Sequence, residues 1–254
     1  MIDHPDEYRR MFAVETDHWW YRHLHNSVMA RIRSRFGPNT DLAILDVGCG
    51  TGGLLHHLRG AGYTTLRGLD GSAEGVAFCR QRGLAVHQLD LRQLAQFPPQ
   101  EPVDVLICND VFCYFQDPDL LALLTALHNL LKPNGLLISN NNAFRVFWGQ
   151  HDLAVGSLRR FVRADFDRLG AATGWRVQTA TYWSLLLAPL ILAVRQGQAL
   201  AWRLGKRAAA PPGSDVYLPH PLLNRFFYGL VRAESRWVRR SPFGSSLLLE
   251  MVPD

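Results

Sequence analysis

The chain is poor in cysteine, and the few cysteines lack the spacing of a metal or disulfide scaffold. Cys49, Cys79, Cys108 and Cys113 include no Cys-x-x-Cys pair and lie in apolar or glycine-rich surroundings. We therefore predict neither a metal site nor a disulfide framework, and we expect reduced thiols in the cytoplasm.

Long apolar runs are also absent from the sequence. The first ten residues are acidic and polar, which argues against a secretory signal. The most apolar segment, residues 183–194, is interrupted by Pro189 and is far shorter than the roughly 20 residues of a membrane span. We expect a cytoplasmic protein with no transmembrane helix.

Basic residues do not alternate with aromatic platforms as they do in a nucleic-acid groove, so nucleic acid is not an expected partner. The segment from Thr181 onward contains nine Arg and Lys residues and four Asp and Glu residues. Its excess of five positive charges equals the net charge of the chain, +5. The C-terminal third is therefore the part suited to an anionic surface, including peripheral contact with the inner face of a membrane.

After an N-terminal helical segment at about residues 5–36, predicted strands and helices alternate. This pattern is typical of an α/β fold with a Rossmann-like, doubly wound, mainly parallel seven-stranded sheet. The predicted strands are residues 42–47, 65–69, 84–89, 103–108, 136–140, 175–182 and 246–252. The predicted helices start at Gly53 or span residues 73–82, 119–131 and 163–173, and residues 132–135 form a turn.

These elements predict four parts of the chain. Residues 1–40 form a helical cap, residues 41–182 the Rossmann-like core, residues 183–244 a helical insertion, and residues 245–254 a final edge strand. Within the insertion a Pro/Gly-rich loop at residues 211–214 precedes an amphipathic helix. One face of that helix carries Leu222, Phe226, Leu230, Ala233 and Trp237, and another carries Arg225, Arg232, Arg236 and Arg239.

The turn after the first strand is rich in glycine. Residues 48–53 satisfy Gly-x-Gly-x-x-Gly, so a nicotinamide-dependent oxidoreductase is one possible interpretation. Asp46 precedes the first glycine, Asp70 ends the second strand and Asp90 ends the third. Ligands of such sheets bind beyond these strand ends.

This combination resembles the class I S-adenosylmethionine-dependent methyltransferases across about residues 42–177. The resemblance implies S-adenosylmethionine as cofactor and S-adenosylhomocysteine as product. It implies that Gly48, Gly50 and Gly52 line the methionyl and ribose part, that Asp70 binds the ribose hydroxyls, and that Asp90 with Leu91 reads the adenine. The other implied cofactor-binding residues are Asp46, Cys49, Gly71, Asn109, Asp110 and Val111.

Residues 15–22 resemble an aromatic segment that small-molecule members of this family fold across the mouth of the cofactor site. Arg22 is expected to pair with the cofactor carboxylate, and Trp20 or Tyr21 to cover the sulfonium. The alternative is that Trp19 and Trp20 only dock the first helix on the sheet.

Four side chains are candidates for binding or deprotonating a methyl acceptor. His151 follows the fifth strand, where acceptor residues often lie in this family, and we favour it as the base. Asp110 and Tyr114 follow the fourth strand, and His18 lies beside two tryptophans. For the last three the alternative is loop ordering or packing.

The sequence thus predicts an S-adenosylmethionine-dependent methyltransferase of the EC 2.1.1 class, with a small or lipid-like acceptor methylated at oxygen, carbon or nitrogen. The fourth strand lacks the Asn/Asp-Pro-Pro-Tyr/Phe motif of amide N-methylation. A nicotinamide-dependent oxidoreductase and a non-catalytic methyltransferase-like scaffold remain open. The insertion is either a lid that receives an amphipathic acceptor at an anionic membrane, or a plain helical extension.

Overall fold

The computed structural model describes residues 5–96, 101–203, 217–238 and 240–254. In these ranges one sheet of seven strands separates two apolar clusters, one on each face. The strands are β1 (Ile44–Val47), β2 (Leu66–Asp70), β3 (Ala85–Gln88), β4 (Val103–Ile107), β5 (Leu131–Asn142), β6 (Trp175–Trp183) and β7 (Ser246–Pro253).

The strand order is β3-β2-β1-β4-β5-β7-β6, and all pairs are parallel except those of β7, which runs antiparallel to both neighbours. The predicted fold class is therefore confirmed. The chain reverses its direction of winding between β1 and β4, and ligands of doubly wound sheets bind at that crevice.

One detail of the prediction is wrong: β7 is not an edge strand. It lies between β5 and β6, and β3 and β6 form the edges. Leu247, Leu248 and Leu249 are all buried because the strand is covered on both faces. Such a continuous apolar run is typical of an interior strand.

The nine described helices are α1 (Pro5–Val14), α2 (Trp19–Phe36), α3 (Gly53–Gly60), α4 (Ala73–Gln81), α5 (Asp117–Asn129), α6 (Gln150–Ala154), α7 (Arg163–Thr173), α8 (Ala188–Arg203) and α9 (Pro221–Trp237). The predicted turn at residues 132–135 lies inside β5, where the pairing with β4 steps from Leu131 to Leu136. Lys132, Pro133 and Asn134 are exposed at this irregularity.

The N-terminal segment consists of two helices instead of the single predicted segment. His18 ends the connection as the N-cap of α2, and its Nδ1 accepts a hydrogen bond from the Trp20 N–H at 3.2 Å. An N-cap acceptor of this kind satisfies one of the free N–H groups of the first helical turn. The break allows α1 to pack on α4 while α2 packs elsewhere.

The insertion between β6 and β7 contains α8 and α9. The prediction that Pro189 interrupts the apolar segment is wrong. Helix α8 begins at Ala188, so Pro189 lies in its first turn, where a proline loses no intrahelical hydrogen bond. No helix of the described residues is long and apolar enough to cross a membrane. The predicted loop at residues 211–214 and Arg239 lie outside the described residues.

Helix α9 docks through a side that its amphipathic pattern does not indicate. Its buried residues are Asn224, Val231 and Glu234. The Asn224 amide accepts from the Trp19 N–H and donates to the carbonyl of Asp17, both at 2.8 Å. Polar anchors therefore fix the helix on the protein.

Glu234 provides the second anchor of α9. Its carboxylate accepts a hydrogen bond from the Leu186 N–H at 2.9 Å, immediately before α8. This contact ties the two helices of the insertion to each other. The predicted apolar face, which includes Leu222, Phe226 and Trp237, is consequently left on the outside.

Candidate functional site

The glycine turn after β1 borders a cavity of about 540 Å³ at the carboxyl ends of β1, β2, β4 and β5. This is the place that the change of winding direction indicates. One end of the cavity is lined by the turn and by Asp70, and the other end reaches α8 and α9. Nearly all of the predicted site residues meet here.

Gly48 and Gly50 share one reason to be glycine, and Gly48 has a second. Both have positive φ angles, +79° and +58°, which side chains rarely adopt. A β-carbon on Gly48 would also overlap Cγ2 of Val111. The Gly50 N–H donates to Asp70 Oδ2 at 2.8 Å, so the turn is fastened to the end of β2.

Gly52 does not line the cavity, in contrast to the prediction. It is the N-cap of α3 with φ +80°, and a β-carbon there would collide with Leu84 and Cys79 on the opposite side of the turn. Its role is close packing of the turn. Cys49 and Gly71 do line the cavity.

The Asp70 carboxylate is buried and already organised. It accepts hydrogen bonds from Gly50 N–H and Ser72 N–H, each at 2.8 Å, and from the Tyr8 hydroxyl at 3.2 Å. Burial raises the pKa of Asp70, and these hydrogen bonds oppose that rise. A carboxylate at a strand end suits two vicinal hydroxyls.

Helix α1 covers this end of the cavity. It lies within residues 1–40, where the sequence predicts a helical cap, but no residue of α1 was predicted for the site. Tyr8 and Met11 line the cavity from above the turn. Phe12 stacks on Phe78 of α4 with ring centroids 4.3 Å apart. The cap is therefore attached to the core by its own apolar contacts.

Glu15 fastens the end of the same cap. It is buried, pairs with Arg82 at 2.6 Å and accepts a hydrogen bond from the Thr51 hydroxyl in the glycine turn. Burial raises the pKa of Glu15 although Arg82 and Thr51 lower it. Its position before the aromatic segment was the available signal, but no role followed from the sequence.

Asp46 lies under the turn and also lines the cavity. Burial, followed by the charges of Asp70 and Glu15, raises the pKa of Asp46 to about 8. Three carboxyl groups therefore crowd this end of the cavity, and each carries a raised pKa. Burial is the largest cause of each rise, and repulsion by neighbouring carboxylates adds to it at Asp46.

Asp110 follows β4 and also lines the cavity. It has φ +55°, an uncommon conformation for a residue other than glycine. Its carboxylate accepts two hydrogen bonds from the Asn140 amide, at 3.0 and 3.2 Å. Burial raises the pKa of Asp110 to about 7, against the lowering effects of Asn140 and Arg160.

Asn140 is a site-forming residue that the sequence interpretation missed. Its backbone N–H donates to the Asn109 side chain at 2.9 Å, and its own side-chain oxygen accepts from the Trp183 indole at 2.9 Å. Three successive asparagines, residues 140–142, end the apolar run of β5. Polar residues at the end of a buried strand were the signal that should have indicated them.

The remaining candidate acid and base groups all line the cavity. Burial raises the pKa of the Tyr114 hydroxyl well above its usual value, so it stays protonated. Burial lowers the pKa of His18 to about 4, and its Nδ1 is occupied by the Trp20 N–H. His151 lies on α6. A buried ion pair between Asp152 of this helix and Arg160, 2.9 Å long, holds the helix in place.

Trp20 and Tyr21 line the cavity as predicted, but Arg22 does not. Its guanidinium lies 4.3 Å over the ring of Tyr228 on α9. Trp20 also packs against Trp183, with ring centroids 5.5 Å apart. The aromatic segment therefore contributes to the cavity wall and to docking at the same time.

Asp90 is not among the residues that line the cavity, whereas Leu91 is. The Asp90 carboxylate accepts from the Arg92 N–H at 3.0 Å, and its backbone carbonyl accepts from Gln93. It thereby caps the short helical turn Leu91–Gln96. An aspartate that follows a strand is often used in this way.

The insertion supplies the wall of the cavity that faces away from the glycine turn. Its lining side chains are Leu190, Ile191, Val194 and Arg195 from α8, and Leu223 and Phe227 from α9. Four of the α8 and α9 residues at the inner wall are aliphatic. An acceptor with an apolar portion fits this wall.

Comparison with known proteins decides the family. A family model described as a methyltransferase domain matches residues 21–205. The chain belongs to the methyltransferase-domain family. This assignment agrees with the resemblance of the glycine turn and with the observed strand order.

Two relatives are ubiquinone biosynthesis O-methyltransferases. That of Xylella fastidiosa is 33% identical over 140 residues, which are 50% of this chain and 55% of the relative. That of Cereibacter sphaeroides is 34% identical over 105 residues, which are 40% of this chain and 41% of the relative. The chain thus spans about half the length of these relatives.

Solved structures share the fold. A magnesium protoporphyrin IX methyltransferase from Synechocystis PCC 6803 with bound S-adenosylmethionine has a TM-score of 0.53 and 17% identity, with 91% of this chain and 78% of that chain covered. A methyltransferase from Archaeoglobus fulgidus has a TM-score of 0.54 and 14% identity, with 89% and 93% covered.

Proposed function

We propose that this methyltransferase-family protein transfers a methyl group from S-adenosylmethionine to an oxygen, carbon or nitrogen of a small or lipid-like acceptor. The observation that carries the proposal is the single cavity that joins the glycine turn and Asp70 to Asp110 and to the aliphatic wall of the insertion. The names of the two ubiquinone biosynthesis O-methyltransferases favour oxygen as the accepting atom.

The residues at the turn fit this cofactor. S-adenosylmethionine carries two vicinal ribose hydroxyls, and the cavity end offers the buried Asp70 carboxylate, which hydrogen bonds from Gly50 and Ser72 hold in place. Asp70 would hold the ribose hydroxyls, the turn at Gly48 and Gly50 would lie against the methionyl part, and Leu91 would lie by the adenine.

When bound, the cofactor supplies an electrophilic methyl carbon. The protein's contribution is then mainly to hold the acceptor in line with that carbon, which can supply roughly 7 to 11 kcal/mol. Proton removal adds about 10² to 10⁴-fold where the acceptor carries a proton. Residues that position the acceptor therefore matter as much as any base.

Among the four candidate bases, we propose Asp110 in place of His151. Its carboxylate lines the cavity, has a pKa of about 7 and is held by two hydrogen bonds from Asn140. His18 fits this role less well because its Nδ1 already accepts a hydrogen bond. Tyr114 and His151 are proposed to contact the acceptor instead.

We infer that the protein works in the cytoplasm, in peripheral contact with an anionic membrane. The excess of positive charge in the C-terminal third and the reduced state expected for four buried cysteines support this location.

Titration calorimetry with S-adenosylhomocysteine and with NADH tests the proposed cofactor. We expect binding of S-adenosylhomocysteine alone, and loss of at least about tenfold in affinity in Asp70→Ala and Gly50→Val, because the first loses a charge-assisted acceptor and the second strains a left-handed turn. Arg67→Gln, at a half-buried site on β2 outside the cavity lining, is the matched control. Binding of NADH alone would overturn the proposal.

A second measurement separates an enzyme from a scaffold. Radiolabelled methyl groups of S-adenosylmethionine are followed into the components of a cell extract. Transfer by the wild type and its loss in Asp110→Asn support the enzyme. Cofactor binding without any transferred label would favour the scaffold.

A further inference from the structure

Helices α8 and α9 expose an unusual number of large apolar side chains. On α9, Leu222 is 69% exposed, Phe226 61% and Trp237 81%. On α8, Leu190 and Val194 are about half exposed. We call these five residues the apolar face of the insertion. Folded proteins in water seldom leave so many large apolar side chains exposed on two helices.

Positive charge adjoins the apolar face. Arg225, Arg232 and Arg236 are exposed on α9, along the side of the helix next to Leu222 and Phe226. The two helices hold one acidic residue, Glu234, which is buried in its contact with Leu186. The exposed charge of the described part of the insertion is therefore of one sign.

The cavity opens at the same face. Leu190, Val194, Leu223 and Tyr217 line the cavity and are also exposed, so they form its mouth. The mouth is aliphatic and aromatic, with exposed Arg225 and Arg232 on the neighbouring turns of α9. An acceptor that passes this mouth meets apolar side chains before it reaches Asp110.

We propose that the apolar face of the insertion docks on an anionic lipid bilayer and holds the cavity mouth at the level of the headgroups. The acceptor then enters from the leaflet, with its apolar chain among lipids and its reactive head group in the cavity. The entry of the acceptor from the leaflet rests on the proposed methyl transfer, whereas the docking on the bilayer does not.

Charge and geometry favour a bilayer over a protein partner. An apolar helix face bordered by arginines, with no exposed acid, lies in the plane of an interface and pairs its guanidinium groups with lipid phosphates. The long arginine side chains can reach the headgroups while the aliphatic residues lie deeper. No described helix spans a membrane, so the contact is interfacial.

Co-sedimentation of the full chain with vesicles tests the surface. We expect binding to vesicles of phosphatidylcholine mixed with phosphatidylglycerol, weaker binding as salt rises, and little binding to phosphatidylcholine alone. The double variant Leu222→Glu with Phe226→Glu should bind at least about tenfold more weakly. Arg232→Gln should cost about fivefold.

Matched controls come from exposed sites outside the insertion. Leu158→Glu places the same charge at an exposed leucine after α6, and Arg35→Gln removes an exposed arginine at the end of α2. Both should bind anionic vesicles as the wild type does. Wild-type protein that stays in the supernatant, or a double variant that still binds, would overturn the proposal.

A fluorescent dye at the mouth of the cavity tests whether the mouth faces the lipid. All four natural cysteines are buried, so a single cysteine at Leu190 accepts an environment-sensitive dye selectively. We expect its emission to shift to the blue with anionic vesicles, and the emission of a dye at Leu158→Cys to stay unchanged. No shift at Leu190, despite vesicle binding, would place the mouth away from the lipid.

Two further results separate this proposal from its alternatives. A concentration-dependent dimer that the double variant loses, without vesicle binding, would assign the face to contact between copies and overturn the proposal. Calorimetry with S-adenosylhomocysteine is run on the same samples. Vesicle binding without binding of S-adenosylhomocysteine would refute the proposed methyl transfer and leave the docking surface standing.

Discussion

The Trp183 indole N–H donates to the side-chain oxygen of Asn140 at 2.9 Å. Because the amide nitrogen of the same asparagine donates to both carboxyl oxygens of Asp110, the last residue of β6 controls the orientation of an acid in the cavity. The start of the insertion and the proposed base are thus linked by two consecutive hydrogen bonds.

The first prediction concerns this link. Asn140→Ala removes the hydrogen bonds that lower the pKa of Asp110, so the pKa rises further. If Asp110 is the base, kcat/KM of the wild type increases as the pH rises through about 7, and the variant needs a higher pH for half of its maximum. Trp183→Phe should shift the profile in the same direction by less. Unchanged profiles in both variants would remove Asp110 from the role of base.

The second prediction concerns stability and pH. The folded pKa of Asp46, about 8, lies above the value of about 3.9 in the unfolded chain. The folded state therefore holds a proton that the unfolded state has lost, and the free energy of unfolding decreases as the pH rises from about 4 to about 8, with a limiting slope of about 1.4 kcal/mol per unit. Asp46→Asn should reduce this slope and stabilise the protein above neutral pH. Urea titrations at several pH values measure the free energy of unfolding of both proteins. An equal pH dependence in the wild type and the variant would contradict the prediction.

The third prediction concerns the cap. Glu15→Gln leaves Arg82 buried without its partner charge, which costs about 3–5 kcal/mol. Glu74→Gln breaks the exposed pair of α4 with Arg9 and should cost less than about 1 kcal/mol. Thermal unfolding of both variants makes the comparison. Equal losses would mean that the buried pair does not hold α1 in place.

The fourth prediction concerns the docking of α9. Asn224→Ala leaves the Trp19 N–H and the Asp17 carbonyl without partners, at a cost of about 1–3 kcal/mol. Leu222→Ala, on the outer side of the same helix, should change the free energy of unfolding by less than about 0.5 kcal/mol. A larger effect at Leu222 would show that the apolar side of α9 is the docked one.

The alternation of apolar strands and helices was enough to predict the fold class, because parallel strands buried on both faces leave a strong pattern. The glycine turn and Asp70 were predictable for a similar reason: the backbone of Gly48 and Gly50 excludes other residues. Such features depend on local conformation, which short sequence segments specify well.

Asp90 was missed because its role is a local helix cap, whereas the docking of α9 was missed because it depends on contacts distant in the chain. Asp90 and Asp70 look alike in sequence, yet one caps a helical turn and the other faces the cavity. The docked side of α9 is set by Asn224 and Glu234, whose partners lie near residues 17–19 and 186. Hydrophobic periodicity contains no information about such polar anchors, so it could not show which side of α9 docks.

Trp183 and Ser246 are direct neighbours in the pairing of β6 with β7. The wall of the cavity that the insertion supplies therefore lies between two residues that pair directly, whereas the end at the glycine turn is built from β1, β2 and α1. Segments of different length can be exchanged at this junction without disturbing the sheet. We expect a graft of the corresponding stretch from another member of the family to change the choice of acceptor more than the affinity for the methyl donor, which would suit this scaffold to diversification by recombination.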